Sequence, residues 1–282
     1  DRCVDLLLSV PAAPIPDHGA VLLPNGEYLD LSLKEHQQGL WLFHMAASPW
    51  QLQEKIALFW HDHFTTGINK VIVAERMARQ INLFRRHGLG RFRDLLVGIS
   101  RDPAMVFWLD NWLNTRAVPQ ENYGREILEL FSMGVDAGYT ENDVRAMARC
   151  FTGWTTTTSQ GNQFWYDDSV HDYSAKTVLG RVINNPSPNG ERDAYDATDV
   201  ILAQPQTARY VVRKLVEWFC QQGPDSGLVQ ELADHWVRSG YSTRAVLDVL
   251  LRSRWFYSSY ARRTLVKSPI EHIVGAMRQL GM

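Results

Sequence analysis

Residues 52–64, LQEKIALFWHDHF, read as a helix that is apolar around most of its circumference. Leu52, Ile56, Phe59, Trp60 and His63 share one stripe at helical spacing, and Ala57 and Leu58 make the opposite side apolar as well. A helix with so little polar face must be wrapped by other elements, so this run predicts the central helix of a mainly helical domain. His61 and His63 are then interior side chains. Two positions apart on a helix they diverge by about 200°, so they cannot chelate one ion together unless the helix ends there. Asp62, Thr65, Thr66 and Gly67 supply residues for such an ending. Each histidine has two readings: a core imidazole bonded to a carbonyl, or a site group of the kind used in catalysis and metal binding.

Apolar spacing near three and four recurs over residues 40–47, 71–86, 92–99, 207–222, 228–239, 243–252 and 269–280, with a shorter helix over 103–113. Near the start, Asn25-Gly26 marks a turn, and Asp30 or Ser32 is placed to cap the helix that follows. Between 155 and 199 the chain becomes rich in Thr, Ser, Asn, Gly, Pro and Asp and loses the helical period. That composition predicts a long irregular excursion, an insertion or lid within one domain spanning 1–282. Residues 163–166 and 176–179 would pair within it as a small β-hairpin, with His171-Asp172 in the connection. The fold class expected is therefore all-α, carrying one irregular segment.

The run 121–154, ENYGREILELFSMGVDAGYTENDVRAMARCFTGW, concentrates acids, an arginine and helix punctuation. Over 122–133 the side chains of Tyr123, Ile127, Leu128, Leu130 and Phe131 fall on one face, and Arg125, Glu129 and Ser132 on the other. Gly134 is placed as a left-handed cap, and Gly138 turns the chain into a second helix. There Thr140 and Asp143 have capping-box spacing, and Val144, Met147, Ala148 and Phe151 form the buried stripe. Glu129 is one turn from Arg125 and pairs with it near solvent. Glu126 lies at the border of the apolar face, where a carboxylate has a raised pKa or a fixed partner. It reads either as a functional acid or as a structural one.

With 282 residues, 45% of them hydrophobic, and ten tryptophans, the chain can bury a substantial core. A net charge of −2 leaves no electrostatic footprint for nucleic acid, and no apolar run reaches the ~20 residues needed to span a bilayer. Cys3, Cys150 and Cys220 are odd in number and without CxxC spacing, so reduced thiols are the simpler reading, with one disulfide left open. The signatures of serine hydrolases, P-loop proteins, dinucleotide binders and zincins are missing. His171-Asp172 falls in a polar loop, whereas the metal-dependent phosphohydrolases known for that pair hold it on a helix.

Six blocks carry a family resemblance: FWHDHF at 59–64, DPAMVFWLDN at 102–111, ENYGREILELFSMGV at 121–135, YTENDVRAMARCFTGW at 139–154, HDYSAKTVLG at 171–180 and KSPIEHIVGAMRQL at 267–280. In order and spacing the chain resembles the bacterial family called domain of unknown function 1800. The resemblance implies a mainly helical exported protein, periplasmic or extracellular, with a sulfatase-like companion. It also implies that the sequence begins late, without a leader and the first helices. No reaction comes with it. Two functions are open. One is a hydrolase-type enzyme that gathers His61 or His63, Glu126 and His171-Asp172, with Arg125 orienting an anionic group. Its chemistry would be direct acid–base catalysis, or a divalent metal held among His61, His63, Glu126 and His171. The other is a noncatalytic helical protein that binds a polysaccharide, another cell-surface polymer or a companion protein, its polar residues fixing the helix packing. Convergence of the three segments on one pocket would favour the enzyme; dispersed, internally bonded groups would favour the binding protein.

Overall fold

The computed structural model describes residues 2–10, 26–157 and 162–281. Its helices run in the order α1 (Arg2–Leu8), α2 (Lys34–Ala47), α3 (Gln51–His63), α4 (Ile68–Val71), α5 (Ala74–His87), α6 (Phe92–Ser100), α7 (Pro103–Trp108), α8 (Glu121–Glu129) and α9 (Glu141–Cys150). After two small antiparallel hairpins come α10 (Arg192–Leu202), α11 (Pro205–Phe219), α12 (Ser226–Arg238), α13 (Thr243–Arg252) and α14 (Pro269–Leu280). The fold is mainly α, and none of the described helices is long and apolar enough to cross a membrane.

The apolar girth of α3 places it at the centre. Leu52, Ile56, Ala57, Phe59 and Trp60 are buried, together with the polar Gln53, Glu54 and His63. Trp60 stacks on Phe92 of α6 with ring centroids 5.6 Å apart, and Phe59 meets Trp218 of α11 edge-on at 5.7 Å. Helices from both sides of the excursion therefore pack on α3. The Trp60 indole donates to the carbonyl of Gly88 at 2.9 Å. Gly88 has to be glycine, since an added Cβ would lie 2.8 Å from that indole ring and 2.4 Å from the Phe84 carbonyl oxygen.

α8 and α9 form the expected pair. Gly124 lets their backbones meet, because a Cβ there would sit 2.7 Å from the Ala148 nitrogen. The capping box of Thr140 and Asp143 starts α9, whose Val144, Met147 and Ala148 are buried. Asp143 also accepts from Leu179 N at 2.7 Å, joining the cap to the excursion. α8 ends sooner than its periodicity suggests. The amides of both Leu130 and Phe131 bond to the carbonyl of Glu126, and this widened last turn exposes Leu130 while burying Ser132. Both residues thus exchange the faces expected of them. Gly134 and Gly138 have the left-handed φ values of 94° and 90° that their turns require.

The excursion departs from its expected form in two respects. β2 (Gln163–Tyr166) pairs with β1 (Trp154–Thr157), while β3 (Lys176–Val178) pairs with β4 (Arg181–Ile183), so two local hairpins replace the single pairing of 163–166 with 176–179. Each strand finds its partner across a shorter connection, at lower loop-closure cost. The irregular stretch also ends before 199, because α10 begins at Arg192. Its buried Ala194, Ala197, Thr198, Ile201 and Leu202 hold helical spacing beneath an Asp-rich surface composition. At the start of α2, Leu33 occupies the cap position without a side-chain bond, and Asp30 instead accepts from the amide and hydroxyl of Ser32. Gly26 of the expected turn has φ 83°; Asn25 lies outside the described residues. The three cysteines are free thiols, with Cys150 and Cys220 buried.

Candidate functional site

His63 closes α3 inside an aromatic shell. Its ring stacks on Phe59 at 5.9 Å and meets Phe64 edge-on at 4.7 Å, while Nε2 lies 3.0 Å from the carbonyl oxygen of Phe131. Burial, reinforced by the charge of Lys214, pushes its pKa down to about 3, against the opposing pull of that carbonyl. The imidazole is therefore neutral and donates from Nε2. Tyr210 and Lys214, one turn apart on α11, complete this corner: the Tyr210 hydroxyl donates to Leu130 O at 3.2 Å, and the Lys214 ammonium lies 5.3 Å from the Tyr210 ring centre. Burial lowers the Lys214 pKa, with Asp62 and Glu217 opposing.

His61, on the other side of the same helix, faces different neighbours. It lines an open pocket of about 280 Å³ formed with α2, α4 and α5, and its ring is edge-on to Trp41, centroids 5.2 Å apart at 86°. Gln37 and Gln38 of α2, with Thr66 and Asn69 after α3, bring carboxamides and a hydroxyl to the wall; Lys34 adds one ammonium, and Ala74, Met77 and Ile81 form an apolar floor. Burial depresses the His61 pKa, opposed by Asp62, so this imidazole too is neutral at pH 7. Its Nδ1 is buried without a hydrogen-bond partner among the described residues. Behind the pocket, Thr66 donates to Gln80, and Gln80 donates at 2.7 Å to Asp102, the buried N-cap of α7. Burial drives the Asp102 carboxyl up to about 7, even though Gln80, the amides of Met105 and Ala104, and Arg76 all favour its charged form.

Glu126 and Arg125 are neighbours in sequence but not in role. Arg125 is clamped by acids, its two terminal nitrogens 2.8 and 2.7 Å from the carboxylate of Glu141, with Glu129 at 3.3 Å and Glu121 at 3.5 Å. It locks α8 to α9. Glu126 is half-buried, and its carboxylate makes no hydrogen bond or ion pair among the described residues. Burial and then the charge of Glu129 raise its pKa, with Arg125 opposing. An acid that holds nothing together costs little to neutralise. Glu126→Gln is expected to move the thermal midpoint at pH 7 by no more than about 2 °C, as for a surface change away from structural features. A fall of 8 °C in a melting experiment would show that Glu126 anchors the fold.

His171 and Asp172 serve a polar clasp. His171 is fully buried, with Nδ1 2.8 Å from Thr152 O and Nε2 3.3 Å from Asp193 Oδ2 on α10. The same Asp193 carboxylate pairs with the fully buried Lys176 and accepts from Asn185 at 2.8 Å. Burial alone would raise the Asp193 pKa, but His171, Lys176 and Asn185 outweigh it and hold the carboxyl below its ordinary range. Gly190 closes the lid of this chamber, where a Cβ would clash with the His171 ring at 2.4 Å and the Tyr166 hydroxyl at 2.3 Å. Asp172 points to Arg149 of α9, 2.6 Å away, and its pKa falls well below normal because Arg149 and Ser174 outweigh burial.

A family model described as "protein of unknown function (DUF1800)" matches residues 27–282. The chain belongs to the DUF1800 family. No curated protein and no solved structure matches it. In this DUF1800 chain the six residues singled out from the sequence fall into four settings: His63 against Phe131, His61 in the α2–α5 pocket, Arg125 and Glu126 on α8, and His171-Asp172 in the clasp. The structure joins His171 and Asp172 through Thr152, whose hydroxyl meets both His171 Nδ1 and the Asp172 amide at 3.0 Å; among the described residues, no side chain of one setting's predicted residues bonds directly to a side chain of another's. Among the described residues, no three His, Cys, Asp or Glu side chains group as a metal-ligand set would. Gln37 and Gln38 lie ahead of the helix expected over 40–47, so Trp41, inside it, had no carboxamide neighbour on its face to mark a site. Extending it to Lys34 places Gln37 and Trp41 one turn apart on one face. Lys176 and Asp193 carry no such signal, since their partnership spans an irregular segment.

Proposed function

We propose that this DUF1800 chain is a noncatalytic helical module of the bacterial cell envelope that binds a polyhydroxylated polymer, a glycan segment, in the α2–α5 pocket. One observation carries the reading: an indole, three carboxamides, a hydroxyl and a neutral imidazole surround a single open pocket with an apolar floor. Carboxamides donate and accept at once, as sugar hydroxyls do, and an indole offers an apolar face to the C–H side of a sugar ring; the Thr66 hydroxyl and the Gln37 amide already donate within the protein, to Gln80 and to the Leu31 carbonyl, and present their oxygens as acceptors. The described lining residues include no carboxylate, whereas glycoside hydrolysis ordinarily uses two flanking the bond. The envelope location rests on the resemblance of the six blocks to exported proteins. Apart from Glu126, the groups of the other settings are engaged in packing the fold together, as a scaffold requires.

The test is calorimetric titration with a panel of soluble glucan, chitin and peptidoglycan oligosaccharides. At least one is expected to bind saturably, and Trp41→Ala should weaken it about tenfold, the loss of one aromatic contact. Phe43→Ala, an exposed aromatic on α2 that does not line the pocket, should leave binding unchanged. If none of the panel binds, or binding ignores Trp41, the reading fails. A hydrolytic alternative is favoured by the neutral His61 imidazole at the pocket wall, which is able to take a proton from water. Shortened oligosaccharides in the same mixtures, lost in His61→Gln, would replace binding with catalysis.

A further inference from the structure

A second concave space, of about 370 Å³, lies where α1, α2, α3, α13 and α14 meet, a size within the range of small-molecule sites. Its wall is apolar, with Leu52, Leu58, Phe219, Leu251, Phe256 and Val274 contributing. Four charged side chains border it, and three of them are already neutralised. Glu54 is paired with the buried Arg85 at 2.5 Å. Lys55 is paired with Glu271, and its ammonium also lies over the rings of Trp218 and Phe219 at 5.5 and 5.7 Å. The fourth, Arg278, is exposed and has no carboxylate partner among the described residues. Its Nη1 donates to the carbonyls of Ala46 and Ser48, at 2.6 and 3.4 Å, at the end of α2, and Nε and Nη2 have no partner among the described residues. The border thus carries one uncompensated positive charge beside an apolar chamber. Gly275 of α14 lines the same chamber without a side chain, and a Cβ there would meet nothing closer than the Lys267 ammonium at 3.8 Å.

From the pairing of these two features we propose that the cavity binds an anionic amphiphile of the fatty-acid type. The alkyl chain lies against Leu52, Leu58, Phe219 and Val274, and the carboxylate head sits on the guanidinium of Arg278. The arrangement resolves both demands of the site, since the chain removes apolar wall from water and the head supplies the missing counter-charge. A neutral ligand would meet only the first demand, and a cationic one would face Arg278 directly. This site is separate from the glycan pocket and does not rest on that reading.

Titration of the purified chain with octanoate, decanoate and dodecanoate below their aggregation concentrations tests the proposal, alongside decan-1-ol and decyltrimethylammonium. Each added methylene is expected to tighten binding about fourfold until the chamber is filled. Decanoate should bind at least about tenfold more tightly than decanol, with the cationic analogue weakest. Arg278→Gln should erase the preference for carboxylate over alcohol, and Arg278→Lys should keep it. Gly275→Leu should abolish binding of all the amphiphiles while preserving the unfolding midpoint, since the change raises helix propensity at an unobstructed position. Affinity independent of chain length, decanol binding as tightly as decanoate, or undiminished binding in Gly275→Leu would each overturn the proposal. Equal loss of preference in both Arg278 variants would do so too, by making that residue only a cap of α2. The chain-length and head-group comparisons use the unaltered protein, so they decide the matter even if a variant does not fold.

Discussion

Asp102→Asn is expected to raise the thermal midpoint at pH 8 by about 4–8 °C and to leave it nearly unchanged at pH 4, a gain of about 2 kcal/mol at the higher pH. Asp102 is buried and carries a folded-state pKa of about 7, above the ordinary 3.8 that it regains on unfolding. Below the ordinary value both states hold the proton and the site is neutral. As pH rises from there towards 7, the unfolded chain releases its proton first, so the native state loses stability by about 1.4 kcal/mol per unit, roughly 4 kcal/mol in all. Asn keeps an acceptor for Gln80 and for the Met105 amide without the titration, though its own N–H groups reduce the gain. His63 works in the opposite sense. Its folded pKa of about 3 lies below the ordinary 6.5, so stability is lost as pH falls from 6.5 towards 3, when the unfolded chain takes a proton that the native state refuses. In the parent the two slopes oppose each other between about pH 4 and 6.5. Removing Asp102 should therefore expose a steady acid-side decline, read from melts at pH 4, 6 and 8. Parallel pH profiles for parent and variant would show that Asp102 does not behave in this way, and a variant flat between pH 6 and 4 would show the same of His63.

Breaking the buried pair of Lys176 and Asp193 should be the most damaging single change in the chain. Asp193→Asn leaves an ammonium in a chamber with no access to water, at a cost of about 3–5 kcal/mol. Lys176→Met combined with Asp193→Asn removes both charges and should cost only about 1–2 kcal/mol, because the amide keeps bonds with His171 and Asn185. The double variant should thus be more stable than one of its parents, a large coupling in a double-mutant cycle measured by urea unfolding. Additive losses would mean that the pair carries no mutual stabilisation and that the clasp is held by its hydrogen bonds alone.

Periodicity carried the helical body well, because burial of one stripe or of a whole helix leaves a repeating mark in local sequence. The central position of α3 and the capping box of α9 were both legible from a few residues. α10 was not, since its buried Ala and Thr positions are small and its Asp residues belong to the polar composition of the excursion. The hairpins were mispaired for a related reason: the four threonines after Trp154 were counted with the irregular segment, although a β-branched run suits a strand. Among the site residues, the pairing of Arg125 with Glu129 is local and could be read, whereas Glu141 and the Phe131 carbonyl on His63 arrive through tertiary contacts. The wheel placed Glu126 at the edge of the packed face, where it is found. It could not give the pocket at His61, whose other walls come from α2 and α5.

The clasp has a consequence for how this chain tolerates changes in length. Thr152, just past the end of α9, and Asp193, in the first turn of α10, are tied to the same imidazole, so the excursion is cinched at its root and the gap between the two helices no longer depends on how much polypeptide lies beyond. Lengthening a tip already closed off in this way adds only a slowly growing logarithmic entropy, about 0.6 kcal/mol per doubling of a flexible loop. Extra residues can therefore accumulate at the hairpin ends with little effect on the helical body, while the four side chains of the knot, Thr152, His171, Lys176 and Asp193, have no comparable latitude.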